Sequence, residues 1–363
     1  MTKYELTIDE SYCSDWSLAN AVRELFQNSL DEELQNPDNK SYFSYDSETK
    51  TLTIGNKNSS LSVETLLLGV SSKKLDSRTV GQFGEGYKIA TVVLLRNGKT
   101  VTFYNYSNNE VWQPRMVKSR RYGGRNVPTF FVDKAYKWKQ APDMNLTITI
   151  SEIDEVEYED IKKSILCLNS YNSIRTPLGE VLMDSDYCGC VYVGGLFVCK
   201  KSNMKFGYNL LANNIKLDRD RKLVDTFSVS WETSKVWSYL IDTQEFKDML
   251  FDTKVYDDIR YVKNFYNHNY DALKSVILGA IGDSVPVSYA NDCVRVMKSG
   301  RTVYNCNEVF EELANAIVPE VFDSVDDSVS IYDLFCEWSD KYGYQLSIDA
   351  RNKFNGIMER LKI

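Results

Sequence analysis

Histidine is almost missing from this chain of 363 residues: the one example is His268, in Asn264-Phe265-Tyr266-Asn267-His268-Asn269-Tyr270, with no acid or nucleophile motif around it. That argues against a histidine-based catalytic triad. Long apolar runs are missing too, so no membrane span is expected. The first residues, Met1-Thr2-Lys3-Tyr4-Glu5, lack the basic-then-apolar pattern of a secretory leader, and a cytoplasmic location is the expectation. Basic charge is in deficit: 43 Lys and Arg against 51 Asp and Glu give a net charge of −8, which argues against a chain that mainly coats nucleic acid, while leaving a local basic groove open. The eight cysteines (Cys13, Cys167, Cys188, Cys190, Cys199, Cys293, Cys306 and Cys336) are scattered, as reduced core thiols would be. Cys188 and Cys190 stand one residue apart, poor spacing for zinc, and no histidine completes a set. No GxxxxGK[ST] occurs, which excludes a P-loop, and no internal repeat or low-complexity tract is visible.

What is present is ample apolar material, 43% of residues, and a length that suits two or three domains. Leu18, Val22, Leu25 and Phe26 recur at helical spacing, with Asp15 or Ser17 as N-cap. On that helix Glu24, Asn28 and Asp31 fall at i, i+4 and i+7 and share one edge; either a solvated face or a buried polar site would produce this pattern. After a turn at Asn36-Pro37-Asp38-Asn39, the runs 41–45 and 51–54 form a hairpin, followed by a small polar loop, 55–61. A helical start at 62–68, capped by Ser62, precedes a second polar stretch at 69–77. Gly81-Gln82-Phe83-Gly84-Glu85-Gly86-Tyr87-Lys88 then opens the apolar helix 89–95.

Alternation of β-branched and aromatic residues predicts strands at 99–106, 110–114 and 145–150, with a basic, glycine-containing loop at 115–125. The acidic stretch 152–159 is expected to join two domains. A second α/β region to about residue 241 holds strands at 190–193 and 196–199 around Gly194-Gly195, then the charged stretch 216–222. From Trp231 the pattern is mostly helical, with a strand-like piece at 302–304 before helices at 307–317 and 331–361.

Glycines at 81, 84 and 86 allow backbone N–H groups to approach phosphate oxygens at a helix N-terminus. The spacing is not that of a dinucleotide fingerprint. Taken in order, ExxxN on a helix (Glu24, Asn28), a polar turn after a strand (56–61) and GxxGxG before a helix resemble the GHKL superfamily of ATP-binding proteins, the group of gyrase B, Hsp90, histidine kinases and MutL. The resemblance covers roughly residues 15 to 150. Leu66 to Lys73 is similar to the lid segment of the MutL and MORC branches, and the sequence style is similar to that of phage-encoded members, which would place it in the cytoplasm of a bacterial host.

The resemblance implies roles. Glu24 matches the residue that orients and deprotonates the attacking water, and Asn28 the Mg²⁺ ligand, with Asp31 on the same edge. Gly81, Gln82, Phe83, Gly84, Glu85 and Gly86 match the phosphate loop, Ser72 and Lys73 the lid. Thr147 is similar to the threonine of the adenine pocket, and Arg219, Arg221 or Lys222 to the basic residue that a second domain sends to the γ-phosphate. The base-binding turn departs from the family's DxGxG. Asn56 stands at the Asp position, Asn58 at the first Gly, where a left-handed backbone suits Asn, and Ser60, before Leu61, at the second. An amide can accept from an adenine amine or donate to a guanine oxo group, so ATP is expected with GTP left open.

The implied architecture is α/β of the α+β kind: a Bergerat-type two-layer α/β sandwich with a mixed, largely antiparallel sheet over residues 1–155, a transducer-like α/β domain over 156–242, and a mostly helical region over 243–363. The implied function is a slow Mg²⁺-dependent ATPase driving a clamp- or chaperone-like change on a protein partner or a second copy. A non-catalytic interaction protein that keeps the fold, and a DNA-engaged clamp using Arg120 and Arg121, stay open as alternatives.

Overall fold

The computed structural model describes residues 1–66, 86–134, 144–217, 223, 225, 227–266, 269–322 and 331–361. The chain begins β1 (Thr2–Glu5), α1 (Leu18–Gln35), β2 (Ser41–Asp46), β3 (Thr51–Asn56), α2 (Gly86–Arg96), β4 (Thr100–Asn105), β5 (Glu110–Ser119), β6 (Arg125–Asp133), β7 (Leu146–Ser151) and α3 (Glu155–Lys163). It continues with β8 (Ser173–Thr176), β9 (Gly179–Leu182), β10 (Cys190–Val193), β11 (Leu196–Lys200), β12 (Gly207–Leu210), α4 (Phe227–Ser238), α5 (Gln244–Leu250) and α6 (Tyr270–Ile281). The last elements are β13 (Val285–Val287), α7 (Ala290–Lys298), β14 (Val303–Asn305), α8 (Glu308–Ile317), α9 (Ile331–Tyr342) and α10 (Ile348–Leu361). They form two units: residues 1–172, 190–200 and 209–224, and residues 173–189, 201–208 and 225–363.

In the first unit a seven-stranded sheet of order β1-β6-β5-β4-β7-β3-β2 is antiparallel at every pairing. Helices α1 and α2 pack together, and their Val22, Leu25, Val92 and Val93 share one buried core with Ile54, Phe103, Trp112, Phe130 and Ile148 of the sheet. Each such side chain, once out of water, contributes about 1.5–3 kcal/mol. The sandwich expected from the sequence is present, but its sheet is not mixed.

Ser17 starts α1 by accepting from the Asn20 N–H at 3.2 Å. The helix stops at Asn36 because the ring of Pro37 disfavours a helical residue before it. At that end Glu33 accepts from the Ser41 N–H (2.9 Å), the Ser41 hydroxyl and Lys40 (2.9 Å), tying α1 to the start of β2. The Ser41 hydroxyl first, then Lys40 and the Ser41 amide, lower the Glu33 carboxyl to about 2. A carboxyl depressed in the folded state adds stability above its unfolded value, 4.5, and loses it as pH falls through about 2. In Glu33→Gln the loss of stability between those two pH values is expected to be shallower than in wild type, read from urea midpoints across that range.

The structure departs from the sequence pattern at several elements. Residues 115–125 are not one loop: β5 runs on to Ser119 and pairs with β6, which was not anticipated, leaving a turn at 120–124. The cations Arg115 and Lys118 are exposed on a strand, and Arg115 lies 5.5 Å from the Phe131 ring centroid, so their charge is compatible with pairing. The acidic stretch 152–159 is mostly α3, opened by a capping box in which Asp154 and Glu157 satisfy each other's backbone N–H. Of 62–68, only a 3₁₀ turn at Val63–Leu66 lies within the described residues. The loop at 55–61 starts later, because β3 continues through Asn56. Strand β1 pairs with β6 and was not foreseen.

The second unit is mostly helical, with a β8–β9 hairpin and a parallel β13–β14 pair, the latter only half anticipated. The helix expected over 331–361 is two, α9 and α10, separated by a 3₁₀ turn at Gly343–Gln345. Asp258, fully buried, accepts from the Lys205 N–H (2.9 Å), the Phe206 N–H (3.2 Å) and the Tyr208 hydroxyl, which in turn accepts from Trp237 Nε1 at 2.7 Å. Burial raises the Asp258 carboxyl above its ordinary range. All eight cysteines are free thiols, but only Cys190 is buried, and Cys167 and Cys188 are exposed, so the expectation of core thiols holds for few of them. No helix among the described residues is long and apolar enough to cross a membrane.

Candidate functional site

The polar edge of α1 is not a solvated face. Arg23, Glu24, Gln27 and Asp31 are buried, at 6%, 5%, 6% and 1% exposure, and Asn28 is half-buried. Burying so many polar groups on one helix is costly unless each is held by partners. Gln27 Nε2 donates to Asp31 Oδ1 at 2.7 Å, fixing that carboxylate along the helix.

Asn56, at the end of β3, comes to the same side of the sheet. It is 3% exposed, and its Nδ2 donates to the carbonyls of Ser29 on α1 (2.8 Å) and Asn39 (3.0 Å). A carbonyl can only accept, so both contacts demand the NH₂ end of the amide. Asn58 has φ +51°, the left-handed backbone expected of it, and Nδ2 reaches the Asp38 carbonyl at 3.5 Å. Ser60 is exposed. Leu61 packs on the core and is clamped by Asn105, which accepts from the Leu61 N–H (3.3 Å) and donates to its carbonyl (2.6 Å). Asn105 is fully buried and was not singled out in the sequence.

The observation that joins the two helices is at Gly86, the first residue of α2. A methyl group built on it would lie 2.0 Å from Glu24 Oε1 and 2.7 Å from the carboxyl carbon. The Glu24 carboxylate therefore rests against the backbone at the N-terminus of α2, where helix N–H groups point outward and negative charge is favoured. Glycine is favoured here by close approach, not by φ. One residue on, the Tyr87 hydroxyl bonds the Thr65 hydroxyl at 2.9 Å. Lys88 is fully buried, and burial lowers its ammonium to about 8. The signal for Lys88 in the sequence is a lysine set directly before the apolar run 89–95 of the same helix.

Arg23, Glu24 and Gln27 also line a small open cleft together with Val193 and residues 196–198 of the β10–β11 hairpin. Leu217 also lines it and bridges to Leu223; Arg219, Arg221 and Lys222 fall between these two in sequence. Those three residues lie outside the described ones, as do Ser72, Lys73 and Gly81 to Glu85. Thr147 is not brought to this side. Leu146 and Ile148 face the helices, whereas Thr147 is turned to the opposite face of the sheet, where its hydroxyl bonds that of Tyr42 at 2.6 Å.

No group of three or more His, Cys, Asp or Glu side chains converges to hold a metal ion among the described residues. The Asn28 amide oxygen is a hard donor that suits a divalent cation whose other ligands are phosphate and water.

A family model described as the Mycoplasma pneumoniae MPN635 N-terminal domain matches residues 156–243. An uncharacterized protein of Mycoplasma pneumoniae is 26% identical over 228 residues, covering 59% of this chain and 87% of the relative. Among solved structures, the chain is similar to the ATPase region of Saccharomyces cerevisiae topoisomerase II (TM-score 0.33, 12% identity), over 50% of this chain and 62% of that one. It is also similar to the ATPase and transducer domains of DNA topoisomerase II from Balamuthia mandrillaris (TM-score 0.34, 12% identity), over 54% of this chain and 66% of that one. The chain thus spans just under two thirds of the length of those structures.

Proposed function

We propose that this chain is a GHKL-type nucleotide-binding protein that takes Mg²⁺-ATP and hydrolyses it slowly. The approach of Glu24 to Gly86 carries the reading. It supports bringing an acid from one helix and the glycine-opened end of another to one place, as the order of the sequence motifs requires. Glu24 accepts a proton from water, Asn28 offers an amide oxygen to the cation, and the stretch from Gly81 to Gly86 supplies backbone N–H groups to phosphate oxygens. Bound Mg²⁺ would neutralise phosphate charge. Ser72 and Lys73, and one of Arg219, Arg221 and Lys222, would meet the phosphates from either side; the Leu217–Leu223 bridge beside Glu24 supports the second group. The division at residues 155 and 242 is part of this proposal, supported by a family match that starts and stops near the same places. Slow turnover follows if a second copy or a protein partner completes the site.

Base choice follows from Asn56. Its NH₂ is taken by two carbonyls, so Oδ1 is the atom left to meet a base, and an acceptor prefers the adenine amine over the guanine oxo group. A thermal-shift titration is expected to show ATP with Mg²⁺ raising the unfolding midpoint more than GTP at equal concentration. An equal or larger rise with GTP would reverse this assignment.

A further inference from the structure

Arg23 stands next to Glu24 on α1 and is almost fully buried, yet its guanidinium reaches the Phe197 carbonyl on β11, 174 residues away in sequence. A guanidinium keeps its charge at any ordinary pH and offers five donors, so burying one is tolerable only where acceptors are fixed in place. The hairpin provides such an acceptor through an irregularity. Tyr192 faces Phe197 but Val191 faces Cys199, so Val198 is an extra residue on β11. A bulge of this kind bends the strand and re-aims its groups. The Phe197 N–H donates to the Ser164 carbonyl at 2.9 Å, and the Phe197 carbonyl accepts from Arg23.

The hairpin is otherwise anchored behind α3. The Leu166 N–H donates to the Gly195 carbonyl (2.8 Å), and the Tyr192 hydroxyl to the Lys163 carbonyl (2.8 Å). Arg23 thus ties a hairpin of the region 156–243 to the helix turn that carries Glu24. The cleft between them is lined by Glu24 itself, by Phe197 and Val198, and by Leu217 at the base of the 218–222 segment.

We propose that Arg23 is a positioning residue: clamped to the carbonyl presented at the β11 bulge, it sets where Glu24 sits, so that a shift of the β10–β11 hairpin is passed to the hydrolytic acid. This rests on the assignment of Glu24 made above. A small displacement of a catalytic group lowers turnover without altering how the ground-state nucleotide is held. The clamp is therefore a control point in kcat and not in nucleotide affinity.

The test compares wild type, Arg23→Met, Arg23→Lys and a deletion of Val198, which removes the extra residue and leaves the arginine intact. Steady-state phosphate release from Mg²⁺-ATP gives kcat and KM, and urea midpoints report folding. The expected result is a fall in kcat of at least about tenfold in Arg23→Met and in the deletion, with KM within about twofold of wild type. Arg23→Lys, which keeps the positive charge and an N–H donor group, is expected to recover part of the loss. If Arg23→Met does not fold, the deletion and Arg23→Lys carry the same split. Unchanged kcat in these variants, or losses that follow the urea midpoint and KM together, would overturn the positioning role while leaving Glu24 its own. No phosphate release from wild type would instead remove the hydrolytic assignment, and this inference with it.

Discussion

Replacing Glu24 by Gln is expected to lower phosphate release from ATP by about two orders of magnitude or more, with nucleotide affinity within about twofold of wild type. The substitution keeps the shape of the side chain and its contact with the start of α2, so the packing at Gly86 is preserved. What is lost is the carboxylate's ability to accept a proton from water. Calorimetric titration with a non-hydrolysable ATP analogue measures affinity, and a coupled phosphate assay measures turnover. If wild type and Glu24→Ala release phosphate at the same background rate while both bind nucleotide, the chain is a binding module and not an ATPase. The departures at Asn56 and Ser60 are the sequence features that such a result would explain.

Gly86→Ala is expected to remove most of the turnover at a modest cost in stability. The added methyl would meet Glu24 Oε1 at 2.0 Å and the carboxyl carbon at 2.7 Å, closer than unbonded atoms approach. The three nearest atoms all belong to the Glu24 side chain, so the strain is relieved by moving that carboxylate. Overpacking of this kind costs about 1–3 kcal/mol of stability. Displacement of the acid is expected to lower turnover by about tenfold or more. In the Glu24→Gln background the same substitution is expected to change the residual rate little, because the two act through one group. A full additional loss in the double variant would show that Gly86 acts on the nucleotide independently of Glu24.

The sandwich was legible where periodicity was clean. Leu18, Val22, Leu25 and Phe26 marked α1, the apolar run after Lys88 marked α2, and alternating strands marked β2, β3, β4 and β7. The second half of β5 and all of β6 were hidden by their charge: Arg115, Lys118 and Arg125 suggested a solvated loop, yet exposed cations sit on paired strands here, Arg115 against the ring of Phe131. Glu24 and Asn28 could be placed on one edge because helical spacing fixes direction. The side of Thr147 could not, since in a strand a shift of one residue reverses the face, and only the register with Gly55 and Tyr104 settles it. Lys88 was overlooked because lysine is rarely buried. The Arg23–Phe197 contact joins residues too distant for any local pattern to announce, and its acceptor is a backbone atom that no residue type encodes.

Hydrogen exchange with and without a Mg²⁺-loaded, non-hydrolysable ATP analogue tests the central claim most directly. Slower exchange is expected in three separated stretches at once: residues 24–31 of α1, the turn 56–61 after β3, and the first turn of α2 from Gly86. Protection confined to other elements, or no change at saturating analogue, would contradict a nucleotide site built on Glu24, Asn28, Asn56 and Gly86.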